Sequence, residues 1–150
     1  MKTVLSIIIL LSLFVTASYS KDCNDYMNGK RRSVRIEKGY QIYLQPNSKM
    51  IGIEDTIKFN ISFLGNFDYI LSFCADREYY PINIRLINEI TNKEIYDNTT
   101  DVYIESLGIG FVNTQNVIVE VSLLANVDIK KRYKWDEYTC IGLIIQRKKF

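Results

Sequence analysis

The sequence predicts an all-β chain, an antiparallel β-sandwich of about eight strands that is jelly-roll-like in plan. Three observations predict it. Apolar and polar residues alternate at period 2, most clearly where Ile57, Phe59, Ile61 and Phe63 face one way and Lys58, Asn60 and Ser62 the other. Turn residues separate such windows by roughly 8–12 residues, the rhythm of sandwiches and barrels. After the N-terminal stretch, no window carries apolar residues at the three-and-four spacing of an amphipathic helix.

The N-terminal stretch reads differently. Met1-Lys2 is a short basic start, Val4 to Val15 is apolar apart from its serines, and Ala17-Ser18-Tyr19-Ser20 ends in small residues. That is a secretory signal over residues 1–20, with cleavage near Ser20. Its apolar run is shorter than the roughly 20 residues a membrane span needs, and none follows in the mature chain. Cys23 follows Lys21-Asp22 rather than small residues, which favours a soluble exported protein, secreted or periplasmic, over a lipoprotein. Residues 21–39 read as a polar arm with Lys30-Arg31-Arg32 as a solvated run, and residues 40–150 as the sandwich domain.

Within the domain, Tyr40 to Leu44 is a first short strand before a turn at Pro46-Asn47-Ser48. Thr56 to Leu64 follows, and Gly65-Asn66 should turn it into a hairpin with the Tyr69-Leu71-Phe73 strand. A charged and aromatic loop closed by Pro81 leads to Ile82, Ile84 and Leu86. Thr91-Asn92-Lys93 is a turn, Glu94 to Tyr96 a short return, and Asp97 to Asp101 a polar loop. Val102 to Phe111 reads as extended, with Gly108 and Gly110 marking a bulge or a close backbone approach. Val117, Val119, Val121 and Leu123 alternate next, Asp128 to Glu137 is a charged loop, and Thr139 to Gln146 is the closing strand.

Three cysteines in an exported chain allow one disulfide. Cys74 and Cys140 both lie opposite the apolar faces of their strands. In an eight-stranded jelly roll the third and eighth strands are neighbours, so a Cys74–Cys140 bridge is expected, with Cys23 pairing to either one as the alternative.

Composition limits the chemistry. There is no histidine, which removes Ser-His and Cys-His nucleophiles and the usual zinc sites. The sequence carries 19 basic and 17 acidic residues, and loss of Lys2 with the signal leaves 18 against 17, a net of +1. Such a domain has no field to draw nucleic acid or an anionic membrane. No catalytic residue or cofactor is expected. The carboxylates Glu54 and Asp55, Asp76 and Glu78, and Asp97 and Asp101 could pair for hydrolysis, but read better as turn residues. Asp97, Asn98 and Asp101 are weak calcium candidates by their hard oxygens. Arg77, Tyr79 and Tyr80 in one loop and Trp135 in another combine charge with aromatic area. They are the candidate contacts to a partner, an envelope protein or a glycan. An exposed strand edge serving envelope assembly is the alternative. Asn60 and Asn98 sit in glycosylation acceptor triplets, which matter only in a eukaryote.

At Phe73-Cys74-Ala75-Asp76, Pro81, Tyr96-Asp97-Asn98 and Cys140-Ile141-Gly142-Leu143-Ile144 the chain resembles a group of small secreted β-sandwich proteins of Bacteroidetes-type bacteria. These share a Tyr-x-x-x-x-Cys-Ala-Asp strand, a Tyr-Asp-Asn turn and a Cys-x-Gly-x-Leu-Ile closing strand. More distantly it is similar to the non-catalytic jelly-roll pre-peptidase C-terminal domains. The resemblance implies fold and export, and no activity.

Overall fold

The computed structural model describes residues 35–53, 55–76, 79–124 and 138–150. Nine strands follow in chain order: β1 Gln41–Ile42, β2 Asn47–Gly52, β3 Thr56–Phe63, β4 Phe67–Cys74, β5 Ile82–Asn88, β6 Glu94–Asp97, β7 Ser106–Phe111, β8 Gln115–Leu123 and β9 Tyr138–Lys149. Two antiparallel sheets face each other. One has the order β9-β4-β7 with β1 and β2 end to end along the free side of β9; the other runs β3-β8-β5-β6. Successive strands mostly change sheets, the Greek-key plan of a jelly roll. No helix among the described residues is long and apolar enough to cross a membrane. The signal stretch lies outside the described residues.

The period-2 pattern is the cause of the core. Phe59, Ile61 and Phe63 from β3, Ile82, Ile84 and Leu86 from β5, and Val117, Val119 and Val121 from β8 are all buried. They meet Tyr69, Leu71 and Phe73 from β4 and Ile141, Leu143 and Ile145 from β9. Each such side chain contributes roughly 1.5–3 kcal/mol by leaving water. Along β9 the other face is buried too: Cys140, Ile144 and Gln146 point away from the core but stay under cover. Gln146 explains part of this. Its Oε1 accepts from the Glu37 N–H at 2.8 Å and its Nε2 donates to the Arg35 carbonyl at 3.0 Å, so this end of the arm is pinned across the sheet.

Four expectations need correction. First, β3 and β4 do not form a hairpin: they pair β8 and β9, in different sheets. The link over Leu64, Gly65 and Asn66 is an arch. The buried Tyr69 hydroxyl donates to the Leu64 carbonyl at 3.0 Å and accepts from its N–H at 2.9 Å, a tyrosine corner. A Cβ on Gly65 would come within 2.5 Å of the Val112 carbonyl, so only glycine fits there. Second, Asn47 and Ser48 begin a strand rather than a turn, and β2 escaped the sequence pattern because it is an edge strand whose first four residues are exposed or half-exposed. Third, residues 102–105 are not extended strand; β7 begins at Ser106.

Fourth, Cys74 is outside any disulfide, so it is not bridged to Cys140. The two strands are neighbours as expected, but Cys74 stands directly opposite Gly142. Cys140 is therefore its diagonal neighbour, at a typical separation of about 7–8 Å, where a disulfide needs Cβ atoms about 3.5–4.5 Å apart. Cys140 is the bonded cysteine. The alternative partner, Cys23, lies outside the described residues.

Candidate functional site

Strand direction sorts the connections. β2, β4, β6 and β8 finish, and β3, β5, β7 and β9 start, at one end of the sandwich, and Tyr79 and Tyr80 lie there. Arg77 and Trp135 fall outside the described residues, as do Glu54 and Glu78 of the carboxylate pairs. Tyr79 is 5% exposed and belongs to the core, which corrects its reading as a surface contact. Tyr80 is half-buried, and its hydroxyl accepts from the Ala75 N–H at 3.0 Å. Like Tyr69, it reaches back five residues to brace an arch. Burial raises its pKa to about 12, against the Ala75 hydrogen bond, with the Glu105 carboxylate adding to the rise. Asp76 is engaged by the Thr139 hydroxyl, which donates at 3.0 Å.

The Asp97, Asn98 and Asp101 cluster is brought together, but its oxygens are aimed at protein donors. Asn98 is completely buried. Its Oδ1 accepts from the Ile84 N–H at 2.9 Å and from Asn83 Nδ2 at 3.2 Å; its Nδ2 donates to the Ile82 and Ile104 carbonyls at 3.0 and 3.2 Å. Asp97 Oδ1 accepts from the Thr99 N–H at 2.9 Å, capping the 3-10 turn Asn98–Asp101. That bond, with help from Asn83 and Arg85, holds the Asp97 carboxyl below the usual carboxylate range. Asp101 Oδ2 accepts from the Tyr96 hydroxyl at 2.7 Å, and burial followed by this bond pushes Tyr96 up to about 12. Among the described residues no group of three or more His, Cys, Asp or Glu could hold a metal. The oxygens of Asp97, Asn98 and Asp101, the weak calcium candidates, accept from backbone and side-chain donors and so build a loop.

The loop they build has an unusual tip. After the 3-10 turn, Val102 sits at φ 56°, ψ 40°, and Tyr103 at φ 59°. A left-handed conformation costs an L-residue roughly 1–2 kcal/mol, and for β-branched Val102 it is an outlier. The Asn98 carbonyl accepts from both the Val102 and Tyr103 N–H groups, and Asn98 Nδ2 holds the Ile104 carbonyl, so the conformation is imposed from inside. Outside, Val102 is 89% exposed and Ile104 39%. Exposed Leu124, whose N–H donates to the Pro81 carbonyl at 3.3 Å, lies at the same end. Sequence reasoning missed this site because Val102-Tyr103-Ile104 has the composition of a strand start. The signal available was the Tyr96-Asp97-Asn98 turn just before it.

The fold and this end define a class, an all-β sandwich that displays an apolar loop on a tightly bonded base. No family model matches the chain, and no curated protein matches it. Among solved structures it is similar to the crystal structure of Aeromonas hydrophila PliG, a periplasmic lysozyme inhibitor of g-type lysozyme. The TM-score is 0.50 at 10% identity, covering 77% of this chain and 93% of that one. At that identity the likeness concerns the fold.

Proposed function

We propose that this chain is an exported, non-catalytic sandwich that binds a protein at or outside the cell envelope, in keeping with its resemblance to small secreted bacterial proteins. Its contact surface is the end that displays Val102 and Ile104. The carrying observation is the strained and exposed tip at Val102, held by a fully bonded, buried Asn98. Strain of this kind persists where the surroundings over-determine it, and such positions cluster at binding sites. A glycan is the weaker partner, because Tyr79, whose ring would stack on a sugar, is in the core. The shared fold with a lysozyme inhibitor makes a lysozyme the first partner to try.

The test is surface-immobilised protein titrated with g-type and other lysozymes. Saturable binding is expected, and a Val102→Asp, Ile104→Asp double variant should weaken it by about 2 kcal/mol or more, the scale of an interface hot spot. Val102→Gly should raise stability by up to about 1 kcal/mol, because glycine adopts this conformation without strain, while weakening binding. Failure with every lysozyme removes that partner. Binding that survives the double variant removes this surface.

A second reading, assembly through a strand edge, is favoured by β7. It ends its sheet, and Ser106, Gly108 and Gly110 bring no charge to guard the edge. Self-association that persists in the double variant would support it.

A further inference from the structure

We infer that the flank of the sandwich between β2 and β3 holds a second site, one that takes a small amphipathic anion: a single aliphatic chain ending in a carboxylate. The edge of the β9 sheet is interrupted there. β1 pairs β9 at Gln146 and Arg147, and β2 pairs it from Tyr138 to Leu143. Between them residues 43–46 leave the sheet, held by the Tyr43 N–H donating to the Ile145 carbonyl at 2.8 Å. The gap faces β3, itself the edge of the opposite sheet. A cavity of ≈ 430 Å³ opens at this point. Small-molecule sites are typically about 300–1,000 Å³.

The lining divides into two parts. Phe59, Ile61, Leu143 and Ile145, all core residues, form an apolar floor, and the half-exposed Leu44 forms a lip. At the mouth stand two ammonium groups, Lys49 and Lys58, and no acidic residue is among the described ones that line the cavity. Lys58 is neutralised by Glu120 at 2.8 Å. Lys49 has no carboxylate partner among the described residues. Its ammonium donates to the Lys58 carbonyl and lies 4.8 Å from the centre of the Phe59 ring.

The opening is framed rather than collapsed. The Tyr43 hydroxyl donates to the Ser62 carbonyl at 2.6 Å at one side, and Lys49 reaches the Lys58 carbonyl at the other. Both acceptors are on the free edge of β3, where alternate residues turn their backbone groups outward. Asn60 lies between them, so its edge groups face the window and add polar partners beside the Lys49 ammonium. An apolar chain on the floor would place its head group at Lys49. A cation or an uncharged head there would gain nothing from the ammonium, which is what selects an anion.

The test titrates the mature protein with decanoate, decanol and decyltrimethylammonium below micelle formation, by calorimetry and amide chemical shifts. Decanoate should saturate one site and move the resonances of Asn60, Ile61 and Leu143. The cationic analogue should not bind. Lys49→Glu should weaken decanoate about tenfold or more, equivalent to roughly 1.4 kcal/mol, and Lys49→Arg should keep it. Absence of saturable decanoate binding overturns the site. Equal binding of all three ligands, or decanoate binding indifferent to Lys49→Glu, overturns it as well. Were Lys49→Glu misfolded, the comparison of the three head groups on the wild-type protein would decide.

Discussion

Asn98 has four polar contacts and no exposed surface, so each hydrogen bond it makes replaces one that water would otherwise supply. It ties β5 to the loop that follows β6, and through the Ile104 carbonyl it sets the path into β7. Asn98→Ala would strand the Ile84 N–H and the Ile82 carbonyl in the interior. About 1–3 kcal/mol is lost for each buried group left without a partner, so chemical denaturation of Asn98→Ala should show a loss of at least the lower figure. A loss near zero would mean water replaces the side chain. The same burial closes the acceptor triplet at Asn98 to any enzyme acting on the folded protein, whereas Asn60 is exposed. The sequence displays Asp97, Asn98 and Asp101 as a cluster of oxygens, but not the direction of their lone pairs. An oxygen cluster around an ion and one around backbone N–H groups share one composition, so the role of these residues became visible only with Ile84 and Thr99 in place.

Two elements, the β3–β4 and β4–β5 arches, use one device. Tyr69 and Tyr80 each reach back five residues to a backbone group at the start of the link, Leu64 and Ala75. The spacing is in the sequence, but tyrosine in a strand is so common that spacing alone singles out neither. For Tyr80 the device can be titrated. Its folded pKa, about 12, lies above the value of about 10 expected for an unfolded tyrosine. The protonated form is therefore favoured by the fold. Its contribution to stability is complete below about 10 and disappears as pH rises through about 12. Near-UV absorbance of the native protein minus that of Tyr80→Phe should show a phenol ionising near 12, and near 10 in denaturant. An ordinary native titration would mean the arch is open to water. On the outer face of the β8 sheet, Lys58, Glu120, Arg85 and Asp97 stand opposite one another across all four strands. Arg85 also holds Glu94 at 2.9 Å. Exposed pairs of this kind contribute about 0–1 kcal/mol each; their larger effect is to keep that face wet.

For the whole molecule, alternation and turns were enough to give the sandwich and to place the Cys74 and Cys140 strands side by side. Parity assigned the faces of β3, β4, β5, β8 and β9, because a half-buried strand writes its burial into every second residue. β2 was not legible because an edge strand with few buried positions lacks that pattern. The choice between hairpin and arch at Gly65-Asn66 was not legible either, since a short polar turn serves both. What decided it is a contact 47 residues away in sequence, where Gly65 packs on the Val112 carbonyl. Contacts of that span make folding slow: sandwiches refold in roughly milliseconds to seconds. Stopped-flow refolding with the disulfide intact should fall in that window, and microsecond folding would argue for a more local core.

β9 is the last of the nine strands in chain order, yet it sits inside its sheet, with β4 on one side and β1 and β2 on the other. From Cys140 to Ile145 it is covered on both faces. Until it docks, β4 lacks one neighbour and β1 and β2 lack the strand they pair with. Conversely, it cannot leave without dismantling the sheet. Protease attack on this part of the folded domain must therefore wait for global opening, because local fraying does not release the central strand. The lifetime of the molecule in a digestive surrounding would then be set by its unfolding rate, a kinetic form of durability that comes from strand order.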